Sequence, residues 1–203
     1  MVAAKGLSIR RALAHLQRDA RLARVIERVA LRPPPPRAEG THFSALARAI
    51  VYQQLAGKAA ATIHGRVVEA VGGEVTAASV AAVTDAMLRK AGLSRQKLGY
   101  LRDLSAKAEE LALEELHARS DEEIIAALRA VKGIGLWTAQ MFLMFRLGRP
   151  DVLPVHDLGI RKAAQKLFRL RSLPAPERLE KLAEPWRPYR TIASWYLWRS
   201  LEL

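Results

Sequence analysis

Two glycines one residue apart, Gly133 and Gly135, interrupt a helical pattern in Val131-Lys132-Gly133-Ile134-Gly135-Leu136-Trp137-Thr138-Ala139, and this break constrains the backbone more tightly than any other stretch of the chain. Glycine enters left-handed backbone conformations without the steric cost of a Cβ, so the pair permits a tight turn between two helices. Upstream, Ser120-Asp121-Glu122-Glu123 has the form of a capping box, in which the serine hydroxyl and the glutamate three residues on each satisfy an N–H at a helix start. Downstream, residues 137–147 read as a second helix, closed by Gly148-Arg149-Pro150. A Gly-x-Gly pair alone is common as a helix stop followed by a turn. Set between two helices, this one presents backbone N–H groups at a helix start, a geometry suited to one phosphate.

The remaining pattern is helical throughout, with no convincing strand. Ile9, Leu13, Leu16, Leu22, Val25, Ile26 and Val29 recur at helical spacing among arginines, giving one or two amphipathic helices over 8–30. The run Pro33-Pro34-Pro35-Pro36 is extended and ends that opening segment. Two helices follow, 43–54 and 58–71, with the break at Ala56-Gly57 placing Gln53, Gln54 and Leu55 at a turn and Gly72-Gly73 stopping the second. A short helix beyond Thr76, another over 84–91 stopped by Gly92, and a long one from the N-cap Ser94 to about Ala112 complete the middle of the chain. After the glycine turn come helices over 158–170, 177–183 and 189–201, with Pro174 and Pro176 punctuating a linker.

Composition bounds the partner. Half of the 203 residues are hydrophobic, enough for a well-buried core. Lys and Arg outnumber Asp and Glu by 33 to 20, a net charge of +13. That excess favours a polyanion, nucleic acid above all, over a merely solubilising basic surface. The absence of cysteine excludes disulfides, zinc ribbons and cysteine-ligated iron–sulfur clusters. No apolar run is long enough to span a membrane and no signal-peptide core opens the chain, so a cytoplasmic protein is expected.

The segment Leu153-Pro154-Val155-His156-Asp157-Leu158-Gly159-Ile160 follows the glycine turn. Asp157 precedes a helix, a position that suits a cap, and a helix N-terminus also favours an anionic carboxylate there.

Together, VKGIGLWTA and the 154–160 segment resemble the helix-hairpin-helix superfamily of DNA glycosylases, most closely the 3-methyladenine DNA glycosylase II type. The similarity covers about residues 43–198, including Ala49-Ile50-Val51-Tyr52-Gln53-Gln54-Leu55, the helix after Gly92-Leu93-Ser94, and the segment from Trp186 to Trp198. It implies an all-α fold of two helical lobes with a DNA-binding cleft between them: lobe one about 1–40 plus 151–203, lobe two about 41–150, with the hairpin at 131–138. Only about forty residues precede residue 43, so the β-rich domain with which longer relatives begin is expected to be absent.

The resemblance implies Asp157 as the catalytic carboxylate, and Lys132, Gly133, Ile134, Gly135 and Thr138 as contacts to the DNA backbone. Trp198 and Trp137 match base-pocket positions, where indole would stack on a flipped cationic purine. Met141 stands where longer relatives have a pocket tyrosine, implying a more open pocket. Leu55 is the candidate wedge filling the gap left by a flipped base, with Gln54 or Ala56 as alternatives and ordinary core packing as the competing role for Leu55. Strand-cutting relatives carry a lysine nucleophile where this chain has Trp137, so an abasic site is the expected product. His156 departs from the second aspartate of longer relatives, and its side chain is expected to point away from Asp157.

A purine methylated at N3 or N7 already carries positive charge and leaves without protonation. One carboxylate then suffices where ordinary glycosidases need two. The expected function is a monofunctional glycosylase acting on alkylated bases in double-stranded DNA as a monomer. The alternatives are a non-enzymatic DNA-binding or damage-sensing protein and a glycosylase for oxidised or deaminated bases. No cofactor is required. The resemblance implies a monovalent cation, Na+ or K+, at the hairpin backbone, and no metal held by side chains.

Overall fold

The computed structural model describes residues 8–203. Among them there are helices and turns but no strand, as the periodicity requires. The chain divides into two compact units, one made of the described residues up to Pro36 together with 143–203, the other of residues 37–142. The lobes implied by the resemblance, about 1–40 plus 151–203 and about 41–150, have their boundaries slightly later in the chain. The second boundary falls inside a helix, where no turn residue marks it.

The first unit opens with α1 (Ile9–Leu16) and α2 (Ala20–Val29), capped by Ser8 and Asp19. It also contains α11 (Leu158–Leu167), α12 (Pro176–Leu182) and α13 (Arg190–Arg199). Its core is built on Leu16, Leu22, Ile160, Leu179, Trp186, Tyr196 and Leu197. The two large polar-tipped aromatics in that core are satisfied as burial demands. The Trp186 indole donates to Asp19 Oδ2 at 3.0 Å and the Tyr196 hydroxyl to the Leu31 carbonyl at 2.9 Å.

The second unit holds α3 (His42–Tyr52), α4 (Gly57–Ala70), α5 (Ala77–Ala82), α6 (Asp85–Lys90), α7 (Arg95–Ala106), α8 (Ala108–Leu111) and α9 (Asp121–Arg129), and the first part of α10 (Leu136–Phe145). Leu46, Ile50, Leu88, Leu101, Leu104, Leu116, Ile124 and Leu128 are fully buried in it. The long helix read from Ser94 to about Ala112 is instead two, α7 and α8, meeting at Lys107, and Ala112 turns left-handed before a 3-10 segment at Leu113–Ala118. Alanine, lysine, glutamate and leucine fill 106–115, all of them good helix formers, so the sequence carries no stop signal there. The capping box at Ser120 forms as read: the hydroxyl accepts from Glu123 N–H at 3.2 Å and the Glu123 carboxylate from Ser120 N–H at 2.8 Å.

Candidate active site

In the second unit, the turn between α9 and α10 is the hairpin. Gly133 adopts φ +83°, a conformation that L side chains rarely enter, and a Cβ there would lie 2.1–2.5 Å from the Tyr100 ring. Glycine is therefore required twice, by dihedral and by space. Gly135 meets no such obstacle and is exposed. Lys132 is exposed, whereas Ile134 is 3 % exposed and its N–H donates to the Val131 carbonyl at 3.1 Å. Ile134 thus anchors the turn in the core, and its N–H already has a partner within the turn. Thr138 is buried as well, inside the first turn of α10.

One face of α7 carries the polar supports of this turn. Lys97, Tyr100, Asp103 and Lys107 recur at helical spacing. The Lys97 ammonium donates to the carbonyls of Val51 at 2.7 Å and Gln53 at 2.6 Å, and burial lowers its pKa from the ordinary value. Tyr100 lies under Gly133. Asp103 accepts the Lys132 backbone N–H at 2.8 Å and pairs with Lys107 at 2.9 Å, and these two partners, in that order, hold its carboxyl below the usual carboxylate range. Lys107 also donates to the Ala130 carbonyl at 2.6 Å. From α3, the Gln53 amide donates to the Gly133 carbonyl at 2.8 Å, tying the 53–56 turn to the hairpin. None of these supports was legible from sequence, because side-chain bonds to main-chain carbonyls leave no pattern at long separation.

The 53–56 turn places Gln54 at φ +55° and leaves Leu55 38 % exposed, so Leu55 is not a core residue. Trp137 is 52 % exposed, and Met141, four residues on, shares its face of α10 and is partly buried. As for a cation, the hairpin offers neutral backbone oxygens, the donor type that suits Na+ or K+. The Ala130, Val131 and Gly133 carbonyls already accept bonds from Lys107, Ile134 and Gln53, so an ion would share them through their second lone pairs. No side-chain cluster suited to a metal occurs among the described residues.

In the first unit, Asp157 caps α11. Its Oδ1 accepts the Ile160 N–H at 2.8 Å and the Trp198 indole N–H at 2.9 Å. Trp198 is half-buried, and its ring lies 6.2 Å from that of Phe145. His156 is exposed beside this partly buried aspartate. The segment before Asp157 is clamped by α13. Arg190 makes a two-pronged ion pair with Asp151, Nε to Oδ1 at 2.7 Å and Nη2 to Oδ2 at 3.0 Å. Thr191 accepts the Val152 N–H at 3.0 Å and donates to the Arg149 carbonyl at 2.6 Å. Asp157 and Trp198, separate members of the site implied by the resemblance, are thus bonded to each other. The direct bond between them was missed, since forty-one residues separate them.

A helix-turn-helix built on Gly-x-Gly and a carboxylate fixed at a helix N-terminus, in a strongly basic all-helical chain, define a nucleic-acid-processing class. The description "HhH-GPD superfamily base excision DNA repair protein" matches residues 47–188, and the chain belongs to that superfamily. It is 35 % identical over 169 residues to the putative DNA-3-methyladenine glycosylase YfjP of Bacillus subtilis, covering 79 % of this chain and 59 % of the relative, so it spans about three fifths of that protein's length. Among solved structures, the Schizosaccharomyces pombe 3-methyladenine DNA glycosylase Mag1 in complex with abasic DNA matches with a TM-score of 0.80 at 32 % identity, covering 95 % of this chain and 97 % of that one. The Bacillus halodurans DNA-3-methyladenine glycosidase matches with a TM-score of 0.79 at 37 % identity, over 92 % and 86 %.

Proposed function

We propose that this protein is a monofunctional DNA glycosylase that removes alkylated bases, 3-methyladenine and 7-methylguanine among them, from double-stranded DNA and leaves an abasic site. It acts as a monomer in the cytoplasm. What supports the reading most is Asp157, a carboxylate held by two N–H donors at a helix N-terminus in a chain with 33 basic residues. Binding a polyanion needs no such group, which weighs against a purely DNA-binding role. Oxidised or deaminated bases are neutral leaving groups and would demand more acid catalysis than one aspartate offers.

In this mechanism the hairpin, with exposed Lys132 and Gly135, holds a phosphate. Leu55, or its neighbours Gln54 and Ala56, enters the gap left by the flipped base. Trp137 and Met141 line the base pocket. Asp157 then stabilises the cationic sugar as the already charged purine departs, and guides the attacking water. Opposite charges about 4 Å apart at an effective dielectric near 20 attract by roughly 4 kcal/mol, about a thousandfold in rate if realised only in the transition state. A monovalent cation at the hairpin carbonyls would neutralise charge next to the held phosphate.

The test is release of bases from methylated duplex DNA, followed by chromatography, with Asp157→Asn alongside. Release by the wild type and a loss of about a thousandfold in the variant, with duplex affinity kept, is the expected result. Tight DNA binding with no release from any methylated substrate would instead favour a binding protein.

A further inference from the structure

Resting on that reading, we infer that Trp198 and Gly159 are positioning residues for the Asp157 carboxylate: the Trp198 indole N–H fixes Oδ1, and the missing side chain at Gly159 keeps room for the pair. The indole nitrogen lies 2.9 Å from Oδ1, within the range of a charge-assisted hydrogen bond. With the Ile160 N–H at 2.8 Å on the same oxygen, the carboxylate is pinned from two elements, α11 and α13, and cannot turn about its Cβ–Cγ bond without losing both.

Gly159 supplies the second observation. It is the second residue of α11, where glycine is less favourable than alanine and needs no left-handed backbone. A Cβ there would stand 3.0 Å from Asp157 Oδ1, 3.1 Å from Trp198 Cδ1 and 3.3 Å from Trp198 Nε1. All three atoms belong to the bonded pair, so any added carbon intrudes on the bond itself. Phe145, 6.2 Å from Trp198 ring to ring, backs the indole. A stacking role for Trp198 would need only its ring, whereas this geometry uses its N–H.

The two roles separate by experiment. Trp198→Phe keeps an aromatic face and removes the donor. Its single-turnover excision rate on a 3-methyladenine duplex should fall about 10–100-fold with half-saturating concentration and duplex affinity unchanged. Gly159→Ala should remain folded, the helical gain of alanine offset by crowding against Trp198, yet lose rate in the same way, and the double variant should lose less than the product of the two single losses. The indole N–H proton resonance, assigned by its disappearance in Trp198→Phe, should move upfield in Gly159→Ala. If the wild type releases base and Trp198→Phe matches it in rate, or loses only substrate affinity, the inference is overturned and stacking stands. If the wild type releases nothing, the glycosylase reading and this inference fall together.

Discussion

At the residue scale, Asp157 holds two roles that substitution can separate. As a cap it serves the Ile160 N–H, a service serine performs about as well, while only a carboxylate can balance a cationic sugar. Asp157→Ser should therefore keep the cap, cost about 1 kcal/mol for the Trp198 indole N–H left without its acceptor, and lose base release. Equal loss of both, by melting and excision assay, would make the residue a structural cap alone. Leu55 offers the converse. Being exposed, it should tolerate alanine with a stability change within about 0.5 kcal/mol, while excision from duplex falls and excision from single-stranded substrate does not. Roles of this kind were legible wherever a residue's own chemistry announced them. The glycine pair, the capping box and Asp157 at a helix start could be placed from sequence because caps and turns are local. What Asp157 touches could not, because the Trp198 indole reaches it from another helix.

At the element scale, α7 supports the hairpin through Asp103 and Lys107, and titration should reveal it. Asp103 has its pKa lowered in the folded protein, chiefly by the Lys132 N–H and then by Lys107. Its stabilisation is therefore fully present above the ordinary value of 3.8 and is lost as pH falls from there through the folded value. Asp103→Asn should cost about 1 kcal/mol at neutral pH, and the gap to wild type should close in acid, below about pH 4, by thermal melts across that range. A constant gap would place the stabilisation elsewhere. Gly133→Ala should be harsher. Left-handed backbone costs a residue with a Cβ about 1–2 kcal/mol, and Tyr100 must also move. The helices themselves followed from apolar periodicity and caps, but the division of the 95–111 stretch into α7 and α8 did not, since no glycine or proline near Lys107 marks a kink that packing imposes.

At the scale of the whole molecule, the 33 to 20 excess of basic residues predicts binding dominated by counterion release. Duplex affinity should fall linearly with salt on logarithmic axes, equally for different undamaged sequences. Lys132→Ala should reduce the slope by about one without changing the ranking of sequences. A flat salt response would mean that the charge serves solubility. Fold class, helix order and family were legible because charge, periodicity and the hairpin each carry a signal along the chain. The boundary within α10 was not, since a continuous helix bears no mark where one compact unit gives way to the next.

The hairpin's supports come from far away in sequence: Gln53 on its carbonyl, Tyr100 beneath its glycine, Asp103 on its amide, Lys107 at its entrance. The nine-residue segment from Val131 to Ala139 is thus not a portable cassette. Grafted between two helices of an unrelated scaffold it would carry its glycines but not its shape, and in descendants of this chain α7 and the turn should drift together or not at all.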